Sequence, residues 1–332
     1  MHLREIDHAY QTAKFKSLIA SGNPRDWAIA ALVPVFQDAI SEEECAAQIN
    51  RAVAAAPDDV LVQWIALSRQ KATRNSLIDD APLQTLRRLE PDNGAVWMEV
   101  LMRASQRKDD SAIDAALTQM AASTRNNEHI SDLIKAQLDV YRRYPWPDEY
   151  FIVASEKEPS LSKEEAPYVY TMAVTVAFAL PAYQDLINAC RISPKTGENA
   201  SRAATCASIG RLMTTHGTPV IANRIGAAVL RLSSTFKDDD VQLARTQDWI
   251  WQQKIALFDS DRPAEEIVAK MVVNMNDWID TGSELEAARR EIVRAGKSPT
   301  PPADWVDTQS PFSAERLRND QLAAARAAAQ AH

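Results

Sequence analysis

An all-α fold, a helical-hairpin array or α-solenoid with little or no strand, follows from three observations. The chain has 332 residues and only 8 glycines. Sheet proteins draw on glycine for hairpin turns and bulges, while helix interiors avoid it. Alanine, the best helix former, is abundant instead. Apolar residues recur at i, i+3, i+4 and i+7 almost throughout.

Size and charge narrow the classes further. Apolar residues make up 46% and charged residues 25%, the balance of a soluble globular chain. The length allows two or three sub-structures or one continuous array. A net charge of −8 argues against a nucleic-acid partner, which calls for clustered Lys and Arg. The acidic runs Glu42 to Glu44 and Asp238 to Asp240 read as first turns of helices, where the dipole favours negative charge. Met1 to Tyr10 is polar and helical in pattern, without the apolar run of a signal peptide. A mature form with an added start Met would read the same way.

The first helix is expected from about His2 to Ile19, broken by Gly22-Asn23-Pro24. Asn23 suits an N-cap and Pro24 the first helical position. The next helix would carry Ile29, Leu32, Val33 and Phe36 on one face, with Pro34 kinking or ending it. Ser41 followed by Glu44 is a capping box that opens a helix to about Ala55. Val60 to about Lys71 follows. Asp80 as cap and Pro82 near the first turn then start a helix with Leu83, Leu86 and Leu89 on one face.

Two passages in this region can be laid over each other. Ala52 to Trp64 reads AVAAAPDDVLVQW and Arg87 to Trp97 reads RRLEPDNGAVW. In each, a helix ends, a proline and two Asx residues follow, and a Trp comes six or seven residues after the proline. Pro57 and Pro91 are 34 residues apart, the tetratricopeptide period. Over roughly Cys45 to Tyr144 the chain resembles the tetratricopeptide family. In that register Gly94 opens a repeat and Trp97 takes the family's Trp position. Leu101, Ala104, Ile113, Leu117 and Met120 fall on core positions, Leu101 and Ala104 replacing the usual small and aromatic residues. Trp64 stands one residue late, and Asp79 takes a place where a small apolar residue is usual. The third unit turns at Arg125 without a proline, and Pro145 and Pro147 interrupt its second helix. The resemblance implies a right-handed superhelix with a concave face that accepts a peptide, a helix or a domain.

Beyond the repeats, helical hairpins continue without a strict period. Ala166 to Gln184 has no charge. Pro167 and Pro181 bracket too few residues for a membrane span, so a helix buried on all sides is expected. Helices are expected at about Gly197 to Thr215, Pro219 to Ser233, Asp239 to Phe258, Pro263 to Ile279 and Ser283 to Ala295. Gly296 to Pro311 contains four prolines and reads as an extended linker, in which Trp305 should dock on the body. The resulting division is 1–44 N-terminal helices, 45–160 tetratricopeptide-like repeats, 161–295 irregular hairpins, 296–311 Pro-rich linker and 312–332 C-terminal helix.

No catalytic set emerges. The five histidines, His2, His8, His129, His216 and His332, lack zinc-site spacing, and there is no Cys-x-x-Cys, phosphate loop or Gly-x-Ser-x-Gly. No catalytic residue, cofactor or metal ligand is assigned. Val140 to Phe151, VYRRYPWPDEYF, crowds Tyr144, Trp146 and Tyr150 with Arg142 and Arg143, the composition of an interface hot spot. A helix end sealed by an aromatic plug has the same composition. Cys190 and Cys206 are 16 residues apart and can bridge neighbouring helices. The bridge would place the protein in the periplasm or outside the cell after loss of a signal peptide, and reduced thiols would place it in the cytoplasm. Function reads in two ways. One is a non-catalytic protein-binding scaffold, or an inhibitor or immunity-type variant of it, for a basic or mixed protein or peptide partner. In that reading an Ala at Trp146 weakens the complex without unfolding the chain. The other is an all-α enzyme with carboxylates that converge only in the fold.

Overall fold

The computed structural model describes residues 3–32, 40–72, 81–155, 161–177, 183–191, 199–233, 238–257 and 263–305. Sixteen α-helices carry these residues, and among them no strand forms. In chain order they are α1 (Leu3–Ala20), α2 (Pro24–Ala30), α3 (Glu42–Ala55), α4 (Val60–Ala72), α5 (Ala81–Leu89), α6 (Gly94–Arg107), α7 (Asp110–Ala122) and α8 (Ile130–Arg143). The second half adds α9 (Asp148–Ser155), α10 (Ala166–Ala177), α11 (Tyr183–Cys190), α12 (Ala203–His216), α13 (Val220–Leu232), α14 (Asp238–Leu257), α15 (Ala264–Thr281) and α16 (Glu284–Arg294). The chain divides into two units, each assembled from three separate stretches.

The first unit is Met1–Pro91, His129–Leu180 and Ser260–Gly282. Its helix ends follow from local chemistry. The Asn23 side chain accepts from the Arg25 N–H, and Pro24 fills the first position of α2. That helix stops at Ala30, shorter than its apolar spacing suggests. Pro34 has no N–H to give the Ala30 carbonyl, so the i to i+4 ladder fails there. Val33 and Phe36 lie outside the described residues. Ser41 and Glu44 form the full capping box of α3, and Asp59 caps α4 by accepting from Leu61 and Val62. One core gathers Leu18, Ala28, Cys45, Ala52, Val62 and Leu133. A second gathers Ile6, Tyr10, Tyr141, Trp146, Tyr150 and Ala166. The Asp80 cap expected for α5 lies outside the described residues.

The second unit is Asp92–Glu128, Pro181–Asp259 and Ser283–His332. Its core holds Met98, Leu101, Leu117, Met120, Ile209 and Met213, with Trp97 packed on its edge. Helices α12 and α13 approach closely at two glycines. A Cβ on Gly210 would lie 2.9 Å from the Leu230 nitrogen, and one on Gly226 would lie 2.6 Å from the Thr214 nitrogen. Cys190 and Cys206 form a disulfide that ties the end of α11 to α12. Past α16 the chain lies along α14. Trp305 packs edge-on against Trp249, the Trp249 indole donates to the Ser298 carbonyl, and Arg245 donates to the Trp305 carbonyl.

Turns inside this unit run side by side. The Gly94 N–H donates to the Arg125 carbonyl at 2.8 Å, and the Thr124 N–H to the Asp92 carbonyl at 3.0 Å. The Thr218 N–H donates to the Asn126 carbonyl at 3.2 Å, and the Glu284 N–H to the Thr218 carbonyl at 2.7 Å. Asn93 and Asn127 are joined twice: Nδ2 of Asn93 donates to the Asn127 carbonyl at 2.8 Å, and Oδ1 of Asn93 accepts from the Asn127 N–H at 2.9 Å.

The stretch from Ala166 to Gln184 departs from its sequence expectation. It holds the separate helices α10 and α11, and Val176 in α10 is 73% exposed. Residues 178–182, between the two helices, lie outside the described residues. Among the described residues no helix is long and apolar enough to cross a membrane. The C-terminal segment expected to be helical at 312–332 lies outside the described residues.

The disulfide closes a short loop of the chain, and for this length the chain-entropy estimate is about 3 kcal/mol. Reduction, or the change Cys206→Ser, is expected to lower the melting temperature of the second unit by several degrees, read by calorimetry with and without reductant.

Candidate functional site

Helix α8 ends at Arg143, and Pro145 and Pro147 hold the chain extended on either side of Trp146 before α9. The structure places Trp146 inward, at 2% exposure. Its ring centroid lies 4.6 Å from Tyr10, 4.6 Å from Tyr141 and 4.4 Å from Tyr170. Tyr150 is buried beside it and shares a hydrogen bond with the Tyr170 hydroxyl. Tyr144 is half-buried, and its carbonyl accepts from the Tyr10 hydroxyl at 2.6 Å. Arg143 grips Asp26 on α2 through two hydrogen bonds of 2.6 and 2.8 Å. Arg142 is exposed and paired with Asp139 on its own helix. The hot-spot expectation is therefore corrected for Trp146 and Tyr150. Their rings close the end of the first unit's core and are not on an outer face. Burying such large apolar rings outweighs displaying them.

These rings surround a lysine that no sequence signal marked. Lys14 on α1 is 4% exposed. Its ammonium lies 4.3 Å from the Tyr141 centroid, 5.0 Å from Tyr10 and 5.5 Å from Trp146. Among the described residues it has neither a hydrogen-bond acceptor nor a carboxylate in ion-pair reach. Burial lowers its pKa to about 7, against the opposing pull of Asp7. Lys14 lines a cleft with Leu18, Leu32, Gln137 and Val174. Gln137 on α8 is 3% exposed, and its Nε2 finds no acceptor among the described residues. The one hint in the sequence was the i, i+4 spacing of Tyr10 and Lys14 on a helix.

A second ionic knot joins α4, α5 and α8. His129 stands at the N-cap of α8 with φ 55°. Its Nδ1 is 2.7 Å from Asp132 and its Nε2 is 2.9 Å from Glu90. Glu90 also accepts from the Trp64 indole at 3.1 Å. Burial works against the imidazolium, but the hydrogen bonds to Asp132 and Glu90, with their charges, outweigh it and raise its pKa to about 9. Both ring nitrogens are engaged, so the group fastens three helices and is not poised to accept a proton from a substrate. Sequence reading placed no role on His129, because Glu90 lies 39 residues away.

Among the described residues no group of three or more His, Cys, Asp or Glu could hold a metal ion. No family profile, curated protein or solved structure matches the chain.

Two outcomes follow from this geometry. Trp146→Ala is expected to destabilise the first unit by about 3–5 kcal/mol, the range for emptying a buried aromatic site, read by urea unfolding. A folded variant of unchanged stability would contradict the plug.

The His129 pKa is higher folded than unfolded, so its stabilisation is complete below pH 6.5 and is lost as pH rises through about 9. His129→Gln should therefore cost more at pH 6 than at pH 9.5, by up to about 3 kcal/mol. A cost independent of pH would show that charge plays no part.

Proposed function

We propose that the chain is a non-catalytic binding protein, a tetratricopeptide-like array of helical hairpins that presents a helical surface to a protein or peptide partner. One observation supports this reading above others. Asn93 and Asn127 stand 34 residues apart and exchange hydrogen bonds through side chain and backbone. In the register of the repeat they are the same position in successive units, so equivalent turns of neighbouring hairpins clasp each other. Hairpins stacked in this way form the extended surfaces on which repeat proteins bind.

Recognition would rest on shape and charge. A net charge of −8 favours a basic partner and steers its approach. The Cys190–Cys206 disulfide supports an oxidising compartment, the periplasm or the cell exterior. The α-solenoid arrangement and the repeat identity of Cys45 to Tyr144 belong to the same proposal.

The purified chain, immobilised and challenged with host extract, is expected to retain one basic protein. Its complex, rebuilt from pure components, should have a fixed stoichiometry. Its affinity should fall as salt rises from about 50 to about 300 mM, because screening weakens exposed charge pairs. Absence of a stoichiometric partner, or turnover of a small molecule by the purified chain, would overturn the reading.

A further inference from the structure

The cleft beside Lys14 brings together two buried donors that have no acceptor among the described residues. Among the described residues, buried Arg231 pairs with Asp248 and part-buried Lys254 with Glu284. Lys14 has three aromatic rings instead. Rings stabilise an ammonium only in part, and a buried cation without a counter-anion is costly. Gln137 adds a second donor, its Nε2 unpartnered among the described residues. A group that accepts hydrogen bonds and carries negative charge satisfies both together and holds the proton on Lys14. A metal ion or a cationic ligand would be repelled.

The remaining walls set the rest of the ligand. Leu18, Ile29, Leu32, Val140 and Val174 are apolar, and Tyr141 completes the lining. The enclosed part of the cleft is about 20 Å³, room for little more than the head of a small ligand, and the cleft is open on one side, where a tail can lie along the apolar walls.

We propose that this cleft binds a small aliphatic monocarboxylate. Its oxygens sit on the Lys14 ammonium and the Gln137 amide, and its short tail lies against Leu18, Leu32 and Val174. The charge supplies the missing counter-ion, and the tail distinguishes the ligand from an inorganic anion. Each methylene that enters the cleft should tighten binding about three- to fourfold, until the tail outgrows it. Binding also holds the proton on Lys14. The titratable groups around that amine are Asp7 and Tyr10 on α1 and Tyr141 on α8, with Tyr170 on α10 stacked behind Trp146. Burial keeps the three tyrosines protonated. Lys14 is therefore the group that titrates near neutrality, and affinity should fall about tenfold per pH unit above its pKa.

The test is an NMR titration of the full chain, following the Trp146 indole N–H, with acetate, butyrate and hexanoate. Chloride and n-butanol serve as controls. The expected result is a saturable shift whose midpoint falls from acetate to butyrate, with n-butanol silent and chloride unable to compete. Lys14→Met, similar in length and apolar, should weaken butyrate binding at least tenfold, the loss of a charge-assisted hydrogen bond. Gln137→Leu should weaken it several-fold and gives an independent reading if the first variant folds poorly. No saturable shift by about 50 mM acid, equal affinity for chloride and butyrate, or unchanged binding in Lys14→Met would overturn the proposal, since a desolvated charge contact has large effects.

Discussion

A turn that runs through a protein interior must find a partner for each backbone N–H and C=O it carries. In the second unit this constraint sets the arrangement of everything around it. Asp92 to Gly94 meets Thr124 to Asn127, Asn126 meets Gly217 and Thr218, and Thr218 meets Glu284. Asn93 and Asn126 are fully buried in this seam. The helices that begin there, α6, α13 and α16, have their N-termini fixed by it. Asn93 caps α6 with its side-chain oxygen, and Glu284 accepts from the Val220 N–H at the start of α13. The close approach of α12 and α13 depends on Gly210 and Gly226, where a Cβ would meet the facing backbone.

The first unit relies on a different device. Its helices are tied by ionic groups from distant parts of the chain, such as Arg143 with Asp26 and His129 with Glu90. Desolvation offsets part of the Coulomb gain of such pairs. They are exacting about geometry, however, since one partner without the other leaves a buried charge. The knot at His129 also receives the Trp64 indole. Indole, imidazolium and two carboxylates therefore settle one another's orientation. This explains how short helices with thin apolar faces, such as α5, hold a unique position.

Local chemistry was legible in the sequence where it is local in space. The capping box at Ser41, the Asn23–Pro24 start and the Asn93 cap all act within four residues of themselves. The scarcity of glycine foretold the absence of strand among the described residues. Pro57 and Pro91 stand in the turns that follow α3 and α5. The direction of Trp146 was not legible. Its composition suits an interface and a plug equally, and the rings that decide between them, Tyr10 and Tyr170, lie far away in the chain. Lys14 was invisible for the same reason. The stretch AKFKS reads as the edge of an amphipathic helix, and only α8 and the Trp146 loop turn it into an interior.

Lys14 is where local pattern and packing disagree most sharply. An apolar side chain of equal length would fill the site without a desolvation penalty. Chains sit close to their stability threshold, and a buried charge without a partner is among the more costly features a core can carry. The aromatic rings around Lys14 offset part of that cost, but the same rings would pack as well against a methionine. Sequences are consistent across levels except where function requires otherwise. The lysine, the Gln137 Nε2 that has no acceptor among the described residues, and the apolar cleft between them form one such inconsistency. Each is poorly explained as packing alone, and all three are accounted for by a single anion with a hydrocarbon tail.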